Sequence, residues 1–455
     1  MKITFINSPL QDYGRIRRRG YYTTPPIGLG YLGTVARNLG CNVNLIDAEA
    51  LGLSPRKIAS IVDEQKPDVV GINLTTPTLN LSKQIIDQFE TSKIMAGGAH
   101  AIVKPRETME AIPRINILAT GEAEKTLEEL IQSEFNPRGI KGLFYRENGN
   151  IIQNPNRPLI ENLDSLPFID RSSFVNDPYQ ENGHFKSVIM GSRGCPNSCT
   201  FCASPTISGK RIRARSIGNI VDEIEILKTE QGINSVHFLD NYFIYDRNRS
   251  LEFIKELEKR KLEVEWRALA RVDLIAYGGI DFVKELKQGG CYQLVFGVES
   301  GSQRILDMVK KGTTPEQAKQ AVQYCKKVGI KTKAYYMFGF PTETLSEMEQ
   351  TLQHARELGT DNACFLLTKA YPGTALYDSL SERFGEEALQ KYMSLDTEVP
   401  LERLPSKINF EKYHIANKVN ISGASHEELV GILRKAYNLY YPNGDKKKWN
   451  QKQSI

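Results

Sequence analysis

Residues 187–202 read SVIMGSRGCPNSCTFC, an apolar run followed by a bend and three cysteines, Cys195, Cys199 and Cys202, within eight residues. The run Ser187–Gly191 has the length and composition of a buried strand, and Gly194 and Pro196 supply the bend. Cysteine metal sites normally use four protein ligands. Either a fourth ligand comes from elsewhere or one metal position is left open. Zinc needs that fourth ligand, and no Cys or His lies between Cys202 and His237. Inert cysteines have no reason to keep a C-x3-C-x2-C spacing. A [4Fe-4S] cluster with one iron open to an exogenous ligand accounts for the three.

Downstream, short strand-like runs recur at Ser235–Leu239, Val264–Ala268, Gln293–Val298, Lys333–Phe338 and Ala363–Leu367. Helical segments such as Asn219–Glu230, Ser250–Lys259 and Ser346–Leu358 separate them. Six parallel strands alternating with helices predict a partial (β/α)6 TIM-type barrel over 186–375, with its site at the carboxyl ends of the strands. The cysteines then lie on the first loop of that face. Residues 376–455 read as a C-terminal helical extension with a charged, frayed tail, GDKKKWNQKQSI.

Upstream, runs at 2–7, 42–46, 69–74, 93–96 and 115–119 alternate with helical spacing, for example Leu29, Leu32, Val35, Ala36 and Leu39. This α/β pattern predicts a flavodoxin-like or Rossmann-like doubly wound domain over 1–140. Asn148-Gly149 between two apolar pieces predicts a hairpin over 142–152. With the Pro/Asn/Asp/Ser-rich stretch after it, the hairpin makes up a connecting segment, 141–185.

The net charge of +5 is too mild to argue for nucleic acid. No stretch of about 18 apolar residues appears and the first residues lack a signal-peptide pattern, so a cytoplasmic chain without a membrane span is expected. Seven cysteines with a single cluster fit a reduced compartment. Arg15, Arg17, Arg18 and Arg19 form a basic loop, read either as a solvated run or as an anion-binding edge of a cleft. Tyr392, Tyr437 and Trp449 are read as core aromatics or as the lining of a substrate pocket.

The C-x3-C-x-aromatic-C motif, with Phe201 before the last cysteine and a first barrel strand before it, resembles the radical S-adenosylmethionine (radical SAM) superfamily. The resemblance implies an open iron chelated by the amino and carboxylate groups of S-adenosylmethionine, whose reductive cleavage yields a 5′-deoxyadenosyl radical. Other strand ends fit it. In FLDNYF (238–243), Asp240 is the candidate near the methionine amino group. In WRALARVD (266–273), Arg271 is the candidate for its carboxylate. In FGVESGS (296–302), Glu299 would accept ribose hydroxyls, with Ser300 and Gly301 permitting close backbone approach. MFGFPTET (337–344), with Gly339, would lie along the adenine, and AYPGTALY (370–377) follows the sixth strand.

The stretches TPPIGLGYL (24–32), NLGCNVNLID (38–47), AGGAH (96–100) and ATGEAEKTLEEL (119–130) resemble the cobalamin-binding domain that precedes the barrel in one radical SAM class. Gly97, Gly98, His100, Gly121 and Glu122 are the candidate cobalamin contacts. The chain departs from the Asp-x-His-x-x-Gly pattern: SPLQDYGRIRRRG after the first strand holds no cobalt-ligating His. A domain that keeps the fold without the cofactor is therefore the alternative at this point. The resemblance covers roughly residues 1–380. It implies a cobalamin-dependent methyltransferase acting on an unactivated carbon of a small-molecule, natural-product or lipid-precursor substrate, with flavodoxin or ferredoxin as reductant. The alternatives are a radical enzyme performing cyclisation, carbon–carbon coupling, decarboxylation or rearrangement, and a non-catalytic metal-stabilised module that reads RNA or protein.

Overall fold

The computed structural model describes residues 1–14, 24–90, 93–174, 180–181, 184–185, 187–386 and 421–440. The Arg15–Arg19 loop, Tyr392 and Trp449 lie outside the described residues.

In the N-terminal sheet, strand β1 (Lys2–Asn7) is flanked by β2 (Asn42–Asp47) and β3 (Val69–Asn73), followed by β4 (Ile94–Gly97) and β5 (Ile117–Ala119), all parallel. β1 and β3 are buried along nearly their whole length, as strands covered by helices on both faces must be. The order reverses beside β1, the kind of place where open α/β sheets bind ligands. The hairpin forms as expected: β6 (Leu143–Glu147) and β7 (Asn150–Gln153) are joined by Asn148 and Gly149, both at positive φ. β6 pairs antiparallel with β5, so the hairpin is the edge of this seven-stranded sheet and the sheet runs on to Gln153. The hairpin belongs with the N-terminal unit and not with the connection.

Six parallel strands follow in sequence order: β8 (Ser187–Ile189), β9 (Ser235–Phe238), β10 (Glu265–Ala270), β11 (Cys291–Glu299), β12 (Lys331–Phe338) and β13 (Asn362–Leu367). β8 and β13 do not pair, so the barrel stays open. Phe238, Phe243, Phe253 and Trp266 pack as stacked and edge-on rings between strands and helices. On the far side Tyr336, Phe338 and Phe365 stack beneath the helix His426–Tyr440. Tyr437 on that helix donates its hydroxyl to the Phe365 carbonyl at 2.8 Å, which makes it a core residue of the barrel's outer layer.

Candidate functional site

The cysteine loop leaves the barrel through a two-rung ladder in which Ser192–Arg193 pairs with Arg213–Ala214, so both ends of residues 194–212 are pinned. Gly194 has φ +99°, and a Cβ there would stand 2.1 Å from the Arg211 carbonyl oxygen. Only glycine lets the loop close. The Cys195 N–H bonds the Gly209 carbonyl, Thr200 N–H bonds Val309, and Leu376 N–H bonds Thr200. The three thiols are free and partly exposed. Asn197 Nδ2 donates to Cys195 Sγ at 3.3 Å, and Ser204 Oγ lies 3.3 Å from Cys202 Sγ. Among the described residues, no three His, Cys, Asp or Glu side chains could hold a single metal ion together. A cubane makes a different demand, since each thiolate takes its own iron. The donor set fits a three-cysteine cluster. Burial pushes the Cys199 thiol up; Lys311 and Arg271 act against that shift, and Cys202 and Glu299 act with it.

The strand-end candidates divide by environment. Arg271 is bound by Asp273 at 2.9 Å and by the Gly312 carbonyl, with Tyr242 near it. Glu299 ends β11 at a register shift with φ +67°, a strained conformation for a non-glycine residue. Its Oε1 folds over Gly297 to accept Lys311 Nζ at 2.9 Å. Its second oxygen makes no hydrogen bond among the described residues, and a hydroxyl donor could take it. Asp240 and Ser300 are fully buried. Asp240 accepts from the Gly191 N–H and from Ser192 Oγ, tying β9 to the root of the cysteine loop; burial pushes its carboxyl up to about 6. Ser300 Oγ meets Thr351 Oγ1 at 3.0 Å, on the helix behind the strand. Gly339, at φ +85°, and Phe340 both donate their N–H groups to Glu343 Oε2, and Phe340 lies 5.6 Å, centroid to centroid, from Phe201.

A cavity of about 440 Å³ lies between the N-terminal sheet and the barrel, within the range of ligand pockets. Gly97, Gly98 and Gly121 line it from strand ends, Leu29 from the adjoining helix, and Met190 and Leu239 from the barrel. A Cβ on Gly121 would meet nothing within 4 Å, and one on Gly97 would make only ordinary contact with Ala119. This glycine-floored, largely apolar space fits part of a large planar cofactor such as cobalamin. His100 does not line it. Its Nδ1 pairs with Thr76 Oγ1 at 2.9 Å, and burial lowers its pKa to about 4, so the ring is a neutral brace for the turn after β3.

Glu122 lines the cavity but is already engaged. Its carboxylate takes two hydrogen bonds from Arg213 at 2.8 Å, one from the Ile160 N–H, and an ion pair from Arg193 at 3.1 Å. Burial pushes the Glu122 carboxyl up, and the two guanidiniums still hold it below its usual range. Arg193 also reaches Glu124 at 2.5 Å and lies over the Tyr31 ring. Sequence reasoning missed Arg193, Glu124, Lys311 and Glu343. Arg193 had one local signal, its place immediately before Gly194-Cys195.

The family model of the Radical SAM superfamily matches residues 189–355, and that of the B12 binding domain matches residues 16–131. The chain is 34% identical over 449 residues to an uncharacterized methyltransferase of Pyrococcus horikoshii, covering 97% of this chain and 92% of the relative. It is 27% identical to the anaerobic magnesium-protoporphyrin IX monomethyl ester cyclase of Rubrivivax gelatinosus, over 86% of this chain and 72% of that one. Among solved structures, the radical S-adenosylmethionine methyltransferase TsrM of Kitasatospora setae, with cobalamin and a [4Fe-4S] cluster bound, superposes with a TM-score of 0.69. It shares 21% identity over 84% of this chain and 78% of that chain, a likeness of fold.

Proposed function

From its membership of the radical SAM superfamily, in the class that carries a B12-binding domain ahead of the barrel, we propose that this enzyme is a cobalamin-dependent methyltransferase acting on an unactivated carbon of a small molecule. The observation that carries the reading is the cavity shared by the two domains, with the residue that roots the cysteine loop, Arg193, in its wall. When bound, the cluster with S-adenosylmethionine supplies hydrogen abstraction and cobalamin supplies the methyl group.

Cys195, Cys199 and Cys202 would hold the cluster. Arg271 and Lys311 are the cations beside Cys199 that would receive the methionine carboxylate. The unbonded oxygen of Glu299 would accept from the ribose, and the Gly339–Phe340 turn, beside Phe201, would flank the adenine. Gly97, Gly98 and Gly121 would admit cobalamin. Asp240 and Ser300 act from behind, Asp240 fixing the loop root and Ser300 the strand end. Packing of Phe201 against Phe340 keeps water from the reacting centre. A cytoplasmic location and flavodoxin or ferredoxin as reductant belong to this reading; among the described residues no helix is long and apolar enough to cross a membrane.

The cyclase among the relatives favours a second reading, a radical reaction without methyl transfer. Anaerobic reconstitution with iron, sulfide and hydroxocobalamin, followed by chromatography of the products of S-adenosylmethionine, separates the two. Retained cobalamin with both S-adenosylhomocysteine and 5′-deoxyadenosine supports the methyltransferase. Loss of cobalamin with 5′-deoxyadenosine alone supports the second reading.

A further inference from the structure

Lys369 stands two residues past the end of β13. The Thr368 N–H still bonds the carbonyl of Phe338, the last residue of β12, which sets Thr368 level with Gly339 and Lys369 one residue further along on the carboxyl-end face of the barrel. The loop it opens is tied to the cysteine loop twice, through Thr206 Oγ1 to the Gly373 carbonyl at 2.7 Å and Leu376 N–H to the Thr200 carbonyl at 2.8 Å.

The three cations named above each have a carboxylate partner: Lys311 with Glu299, Arg271 with Asp273, Arg193 with Glu122 and Glu124. Lys369 is partly buried, yet it makes no ion pair or hydrogen bond with a described residue. Burial, with nothing to offset it, lowers its amine to about 8. A desolvated ammonium without a counter-ion is costly, and an incoming anion relieves that cost.

The anion does not belong to S-adenosylmethionine. Its carboxylate must reach the open iron beside the thiolates, and the cations acting there are Lys311 and Arg271. The adenosine end carries no anionic group. We propose that Lys369 anchors a carboxylate or phosphate of the substrate, which makes the substrate class an acidic small molecule. The proposal rests on the barrel-face reading above.

Differential amine labelling with acetic anhydride at pH 8, read by mass spectrometry, tests it on the reconstituted holoenzyme. The probes are S-adenosylmethionine alone and S-adenosylmethionine with inorganic phosphate or acetate, with exposed Lys57 as the internal reference. Labelling of Lys369 should fall at least about fivefold with phosphate or acetate and stay unchanged with S-adenosylmethionine alone; the more effective probe identifies the anion class. An amine never labelled, or labelled equally with and without the anions, overturns the proposal. So does protection by S-adenosylmethionine alone. As a second measurement, Lys369→Met should keep its affinity for S-adenosylmethionine within about twofold by equilibrium dialysis; a tenfold loss assigns the amine to that cofactor and overturns the proposal. Neither readout requires turnover, so failure here is distinguishable from failure of the methyltransferase reading.

Discussion

Arg193 and Glu124, 69 residues apart, meet at 2.5 Å between the cysteine-loop root and the N-terminal domain, each with under a tenth of its side chain exposed. Removing one partner of such a buried pair strands the other charge, at a cost of about 3–5 kcal/mol. Arg193→Leu should lose stability on that scale in urea denaturation and bind less iron after reconstitution, because the guanidinium that ties the loop root to the N-terminal domain is gone. Glu124→Gln keeps an acceptor and should cost less. Unchanged stability and iron content in Arg193→Leu would show that the pair does not hold the loop.

Gly194 makes the second prediction. Alanine there would drive its Cβ into the Arg211 main chain, which has no flexible end to yield. The visible iron–sulfur absorption of reconstituted Gly194→Ala should therefore be largely lost. Gly232 is the control: its φ is +65° but a Cβ would meet nothing within 4 Å, so Gly232→Ala should keep the cluster and cost about 1 kcal/mol. Equal cluster content in the two variants would refute the steric account.

Much of the architecture was legible because it is written in local patterns. The strands of both sheets follow from short apolar runs, and Asn148-Gly149 announced its hairpin through residues that tolerate positive φ. That the hairpin joins β5 was not local information, nor was the docking of His426–Tyr440 on the barrel. The cysteine loop was legible because its ligands lie on one segment. Glu122 is a candidate cofactor contact because its stretch resembles the cobalamin-binding domain, yet its partner Arg213 is 91 residues away and only the docking of the domains brings them together. Asp240 and Ser300 lie in the expected strand-end segments but are turned inward, and strand periodicity gives no guide once the strand has ended.

The cavity floor makes a prediction with two arms. Gly97→Leu projects a side chain into space that is open now, so it should fold normally and lose cobalamin on gel filtration. Gly98→Ala places a Cβ 2.3 Å from Asn73 Oδ1 and 2.6 Å from the Leu74 carbonyl at φ +108°, so it should disturb the fold itself. Thermal unfolding separates the arms. If Gly97→Leu retains cobalamin as the parent does, the cofactor does not use this cavity.

Glu343 makes a prediction about pH. It is fully buried, it accepts the Gly339 and Phe340 N–H groups through Oε2, and its other oxygen has no hydrogen-bond partner among the described residues. Burial raises its pKa from 4.5 to about 7, against the two N–H bonds that lower it. Between those values the folded protein holds a proton that the unfolded chain has released. Its contribution is therefore complete below about 4.5 and is lost as pH rises toward 7, by up to about 3 kcal/mol. His100 acts in the opposite sense between about 4 and 6.5, since its ring is neutral when folded. Both forms of the protein keep His100, so the difference between parent and Glu343→Gln isolates the carboxyl. Urea denaturation at pH 5, 6 and 7 should show the parent losing stability relative to Glu343→Gln as pH rises. A gap that is constant, or that moves the other way, would mean Glu343 is ionised in the folded state throughout.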